Sequence, residues 1–449
     1  MTQHPLPITA TSRRDFLRLA TTLAAAATSA AQAQTVPDYK ALVCVFLLGG
    51  NDGHNLIVPM GSAAYAAYRG IRGPLALPDG TATLLPVSTP DGTPYGLHSG
   101  LAAVAPLWSQ GRLAVVANVG TLARPTTRAE VLAGTAVLPG NLFSHADQAL
   151  QQQAGNATGG GGTGWAGRTA DGVQARNAGS AFPASISMAG QALFCTGASV
   201  PSASLIPGFD LAADGMSAWP DSAAAARRAA AQQVLAFDNG MALVQAANKV
   251  RRDAATLGAL LTGNTSAPLA TVFPGATLGA QLKQVAQIIK LRSATGMGRQ
   301  VFFTALGGFD THARQAWDHW DLLRQVGEAM AAFHAATVEM GVAHQVTTFT
   351  QSDFGRTLQP SGNGSDHGWG NHHLVMGGAV KGGTVYGRFP YPALGGADDA
   401  GSRGALLPST SLEQFGATLA RWFGVSPAAL PQVFPNLPLF ASSDLGFMA

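Results

Sequence analysis

The 449 residues are 47% hydrophobic and only 11% charged, with 27 Lys and Arg against 24 Asp and Glu. Arg13, Arg14 and Arg18 against Asp15 supply most of the basic excess; the rest carries 24 against 23, which excludes a basic nucleic-acid surface. No long uncharged apolar run is present, so no transmembrane segment is expected, and the chain can bury a sizeable core.

The first element is Ser12-Arg13-Arg14-Asp15-Phe16-Leu17, followed by a mild apolar run from about Leu19 to Ala30 and then Ala31-Gln32-Ala33. These are the three parts of an export signal, and the paired arginines mark the twin-arginine route. The expectation is a signal peptide over 1–33, the twin-arginine translocase as a partner during export, and a periplasmic or secreted protein. A single domain would then cover 34–449, starting near Gln34.

Ala41–Leu48 is continuously apolar and ends at Gly49-Gly50, the pattern of a buried parallel strand. Cys44 lies inside it; two cysteines, Cys44 and Cys195, make no disulfide framework. A helix-like stretch near Leu101–Gln110 precedes a second strand, Leu113–Val119. Ser144-His145-Ala146-Asp147 opens an Ala/Gln-rich helix, and Gly159–Gly162 reads as a loop. Ala223–Ala236, Met241–Leu261 and Leu278–Arg292 make residues 221–300 a helix-rich block, either an inserted cap or the helical face of the same sheet.

Strand signals return at Gln300–Leu306 and Gln345–Thr350, separated by a helix from about Trp317 to Met340. Short strands at Leu374–Met376 and Thr384–Tyr386 and an amphipathic helix at Leu412–Phe423 complete the chain. Strands alternating with helices define an α/β protein with a mostly parallel sheet.

Carboxylates and histidines follow the strands: Asp52 and His54 after the first, Asp310 and His312 after Gln300–Leu306, Asp353 after Gln345–Thr350, then Asp366-His367 in a Gly-rich loop. Ligands of open α/β sheets bind at the carboxyl ends of strands. Carboxylates gathered there without matching cations repel one another, and a divalent cation relieves that. A mixed Asp/His set suits zinc or manganese better than calcium.

The chain resembles a family of twin-arginine-exported bacterial proteins of unassigned function within the alkaline-phosphatase-like superfamily. The resemblance is carried by Leu48-Gly49-Gly50-Asn51-Asp52-Gly53, Gly308-Phe309-Asp310-Thr311-His312, Ser352-Asp353-Phe354-Gly355-Arg356-Thr357 and Asp366-His367-Gly368-Trp369-Gly370. It implies a three-layer α/β/α sandwich with one or two metal ions at the strand ends, held by Asp52, Asp310, His312, Asp353 and His367. Two departures stand out: Phe354 occupies the place where superfamily hydrolases often have a His, and the Asp310-to-His312 step is short.

Ser144 is the candidate nucleophile, and Arg356 and His54 are candidates to hold a small anionic substrate. Ser144 reads equally as a helix cap, through the capping-box pattern Ser144-His145-Ala146-Asp147. Two functions follow: an exported metal-dependent hydrolase of a phosphate or sulfate ester or related anionic group, or a non-catalytic exported protein of surface assembly or polymer handling on the same fold.

Overall fold

The apolar run Lys40–Leu48 has no polar alternation, so it can only be satisfied with both faces covered, and it becomes the middle of the sheet. The computed structural model describes residues 38–180, 182–207, 219–238, 240–248, 251–252, 258 and 268–449. The export signal expected over 1–33 and part of the helix expected at Met241–Leu261 lie outside these residues; 242–248 are helical.

The strands are β1 (Lys40–Leu48), β2 (Ile57–Pro59), β3 (Leu84–Ser88), β4 (Pro94–His98), β5 (Leu113–Gly120), β6 (Ser185–Ser187) and β7 (Ser202–Ser204). They continue with β8 (Arg299–Gly307), β9 (Val346–Ser352), β10 (Arg356–Ser361), β11 (Gly364–His367), β12 (Asn371–Gly377), β13 (Val385–Tyr386) and β14 (Thr410–Ser411). Among the described residues a nine-stranded sheet runs β13-β5-β12-β9-β1-β8-β6-β7, with β14 also on β5. Only β12 is antiparallel to its neighbours, so the class is mixed α/β with a large, mostly parallel sheet.

The three central strands finish level. In register, Leu48 faces Gly307 and Leu47 faces Ser352, so the segments leaving β1, β8 and β9 emerge along one edge. Helices cover the faces. Thr277–Lys290 buries Leu278, Leu282, Val285, Ile288 and Ile289, and its Gln281 exchanges two hydrogen bonds with the backbone of Ala305 in β8. This part of the helix-rich block is therefore a face of the sheet. Asp221–Ala236, by contrast, buries only Ala224. Gln315–Glu339 and Leu412–Phe423 match their expected positions and pack into the same core. Each large side chain buried this way contributes roughly 1.5–3 kcal/mol.

Two expectations are revised, and one small sheet was not foreseen. Leu101–Gln110 holds only a four-residue helix, Pro106–Ser109, and the end of a single 3-10 turn. Asp366-His367 belongs to strand β11, paired antiparallel with β10, where a Gly-rich loop was expected. The small sheet β2-β4-β3 had no clear signal, because prolines and a glycine interrupt its alternation. Both cysteines are buried free thiols, and no helix among the described residues is long and apolar enough to cross a membrane.

Candidate metal centre

The site is built from four segments at the carboxyl edge of the sheet. The β1–β8 register brings Gly49 against Phe309-Asp310, while Gly50 faces Phe354, and both glycines have positive φ. A Cβ on Gly49 would lie 2.4 Å from the Asp310 backbone nitrogen, so only glycine permits this approach. Phe143-Ser144-His145 enters at the start of helix His145–Ala154, and β11 delivers His367.

Asp310, His145 and His367 converge. His145 Nε2 is 3.3 Å from Asp310 Oδ1 and 3.1 Å from His367 Nε2, and His367 Nε2 is 3.5 Å from that Asp310 oxygen. His312 joins from the outer side, its Nε2 2.9 Å from Asp310 Oδ1 and 3.0 Å from His367 Nε2. The group is open to solvent: the Asp310 side chain is 48% exposed, His145 31% and His367 27%.

The outer nitrogens of two rings are already committed. His145 Nδ1 is 2.8 Å from Asp353 Oδ2, and His367 Nδ1 is 2.7 Å from the carbonyl oxygen of Phe143. A carbonyl or carboxylate oxygen accepts, so each Nδ1 carries the proton, and the lone pair of each neutral ring faces inward from Nε2. Two lone pairs and a carboxylate oxygen then confront one another, an arrangement that requires a proton or a cation between them. A proton can meet the need: the hydrogen bond to Asp353, with the charges of Asp353 and Asp310, raises the His145 pKa above its ordinary value against desolvation. Burial lowers that of His367. Asp310 lies below the usual carboxylate range: burial opposes this, but the Arg356 guanidinium and the His145 and His312 rings outweigh it.

The donor set fits a divalent cation. Ligands about 2.0–2.1 Å from a tetrahedral zinc are about 3.3 Å from one another. The measured edges of 3.1, 3.3 and 3.5 Å bracket that spacing. Three protein ligands with solvent access is the pattern of an open rather than a closed zinc site.

The other expected residues are placed differently. Asp52 was expected among the metal ligands. Its carboxylate is fully buried and bound by Arg72 and by the Gln315 amide, and Gln315 in turn accepts from Ser365 at 2.6 Å. The unmatched carboxylates read from the sequence are thus matched, Asp52 by Arg72 and Asp310 by Arg356.

Asp353 stands behind His145, accepting also from the Gly49 backbone N–H at 3.0 Å. Arg356, expected to hold substrate, is buried. Its three nitrogens donate to the carbonyls of Gly50, Ser365, Gly49 and Phe309 and to Asp310. His54 points elsewhere. It contacts the Gly404 carbonyl at 3.3 Å, lines a separate small pocket with His372, Phe389 and Tyr391, and is lowered to about 4 by burial. Ser144 is the cap of the His145–Ala154 helix, its hydroxyl donating to Asp147 at 2.6 Å.

Phe354 explains itself here. Noted in the sequence as a departure, it packs its ring against both His145 and His367, with centroids 4.6 and 4.9 Å away. It is an apolar backing plate for the two imidazoles. The residue the sequence reading missed is His145. Its signal was a histidine directly after a helix-capping serine, at the mouth of an α/β sheet.

Fold and site together define a mixed α/β protein carrying an Asp/His cluster at the carboxyl edge of a large, mostly parallel sheet. The chain belongs to the DUF1501 family, described as a protein of unknown function, whose sequence profile matches residues 39–430. Among solved structures it is similar to Ps i-CgsB, solved in complex with k-i-k-neocarrahexaose, at 9% identity and a TM-score of 0.35, covering 89% of this chain and 77% of that one. It is also similar to the PsFucS1 sulfatase from Pseudoalteromonas sp., at 10% identity and a TM-score of 0.33, covering 90% of this chain and 71% of that one. No curated protein matches the chain.

Proposed function

We propose that His145, Asp310 and His367, with His312 beside them, hold one divalent cation, zinc or manganese, and that the protein is an exported metal-dependent hydrolase of a phosphate or sulfate ester or related anionic group. The observation that carries this reading is the pair of Nδ1-anchored imidazoles whose Nε2 atoms face each other and the Asp310 carboxylate at 3.1–3.5 Å. When bound, the cation would act as a Lewis acid toward an ester oxygen of the substrate.

The chain's own residues do the rest. Arg356 holds Asp310 in place and has its nitrogens engaged, so recognition of an anion falls to the cation. Asp353 keeps the His145 proton on Nδ1. Phe354 excludes water from behind the two rings. Ser144, one residue from His145, would serve as nucleophile with Asp147 as its hydrogen-bond acceptor. Asp52 is assigned to the buried support with Arg72 rather than to a second ion.

One observation favours a second reading, a non-catalytic exported protein that keeps the cation. The Ser144 hydroxyl is engaged with Asp147, whose pKa is lowered chiefly by that same hydrogen bond, and a weak acceptor is a poor base. Zinc-loaded protein assayed on aryl phosphates and aryl sulfates separates the two. Turnover abolished by Asp310→Ala and by Ser144→Ala supports the hydrolase with Ser144 as nucleophile. Stoichiometric metal without turnover supports the second reading, and protein that binds no metal refutes both.

A further inference from the structure

Two residues of the turn before the His145–Ala154 helix adopt left-handed backbone: Asn141 at φ 50 and Phe143 at φ 75. Asparagine tolerates this region, whereas a bulky side chain rarely adopts it. The turn is fastened on both sides. Ser144 N–H donates to the Asn141 carbonyl at 3.0 Å, the Asn141 amide donates to Asp147 at 3.2 Å, and Ser144 Oγ donates to Asp147 at 2.6 Å. The outcome is that the Phe143 carbonyl oxygen lies 2.7 Å from His367 Nδ1, while the next residue but one, His145, presents its own Nε2 to the same group.

We propose that Phe143 is a positioning residue: its left-handed backbone aims its carbonyl at His367 Nδ1, fixing the tautomer whose Nε2 lone pair faces Asp310 and His145. The purpose assigned to that lone pair rests on the metal reading above; the geometry itself does not. The acceptor is a backbone oxygen, so the side chain matters only through the φ it allows. Glycine and asparagine permit the conformation; a β-branched residue does not.

The test uses nitrogen-15 NMR of the histidine-labelled, metal-free protein at a pH above the histidine range, followed by zinc titration. Wild type is expected to show neutral His367 protonated at Nδ1. Phe143→Gly and Phe143→Asn should keep that tautomer and bind zinc within a few-fold of wild type. Phe143→Val should release the ring into a mixture of tautomers and weaken zinc binding about 10–100-fold, the usual cost of losing an outer-sphere partner. Should Phe143→Val not fold, the wild-type tautomer and the glycine variant still decide. Wild-type His367 protonated at Nε2, Phe143→Gly losing the tautomer, or Phe143→Val retaining both tautomer and affinity would each overturn the proposal. The expected tautomer in a wild type that binds no zinc would instead refute the metal reading and leave the positioning role standing.

Discussion

At the scale of single residues, His145 has one ring nitrogen on Asp353 and the other turned to Asp310 and His367. Asp353→Asn should therefore weaken zinc binding about 10–100-fold while leaving the fold intact, as calorimetric titration would record. Asp52 should behave in the opposite way. Arg72→Ala leaves the Asp52 carboxylate buried and unpaired, at a cost of about 3–5 kcal/mol in chemical denaturation, whereas Asp52→Asn should keep zinc affinity near the wild-type value. Asp310 and Asp353 were legible because each follows a strand that could be read from the sequence, and His367 because it stands in the glycine-flanked Asp366-His367-Gly368 segment, although its strand was not foreseen. His145 was not, since Ser144-His145-Ala146-Asp147 has the complete grammar of a helix start and gives no cause to look for chemistry inside it. Arg72 was equally hidden: its partner is twenty residues earlier, and only the fold of helix Ser62–Arg72 brings them together.

At the scale of elements, the turn between β1 and Asp52 sets the depth of the site. Gly50 has φ +80, and a Cβ there would lie 2.5 Å from the Phe354 ring that backs His145 and His367. Gly50→Ala should lower stability by about 1–3 kcal/mol through strain and push Phe354 into the imidazoles, which thermal unfolding and zinc titration would register together. The helix Leu412–Phe423 carries a different signature. Burial pushes Glu413 up to about 7 from an ordinary 4.5, against the Asn436 hydrogen bonds and the Arg168 charge. Protonation thus favours the folded state: its contribution is complete below the unfolded value and is lost as pH rises through about 7. Wild type should lose about 1–3 kcal/mol relative to Glu413→Gln between about pH 5 and pH 8 in denaturant titrations, and a flat difference would refute the assignment. The helix itself could be read from its apolar spacing, but the burial of Glu413 within it could not.

At the scale of the whole molecule, parallel pairing of β1 with β8 and β9 places the end of one early and two late segments side by side. That the three strands end along one edge was expected from the alternation of strands and helices; which of them pair was not. The order of the outer strands, the antiparallel insertion of β12 between β9 and β5, and the β10–β11 hairpin that lifts His367 into the cluster were not expected either, because these depend on pairings between distant segments. The cation proposed above would be held by a helix start, a strand end and a hairpin, side chains from three distant parts of the chain. Its most direct test is metal stoichiometry and affinity measured on purified full-length protein and on His145→Ala. One zinc or manganese ion per chain is expected in the wild type and, in His145→Ala, a loss of affinity exceeding the about 100-fold that outer-sphere changes cost. Wild-type protein that binds no divalent cation, or His145→Ala binding as tightly as wild type, would contradict the proposal.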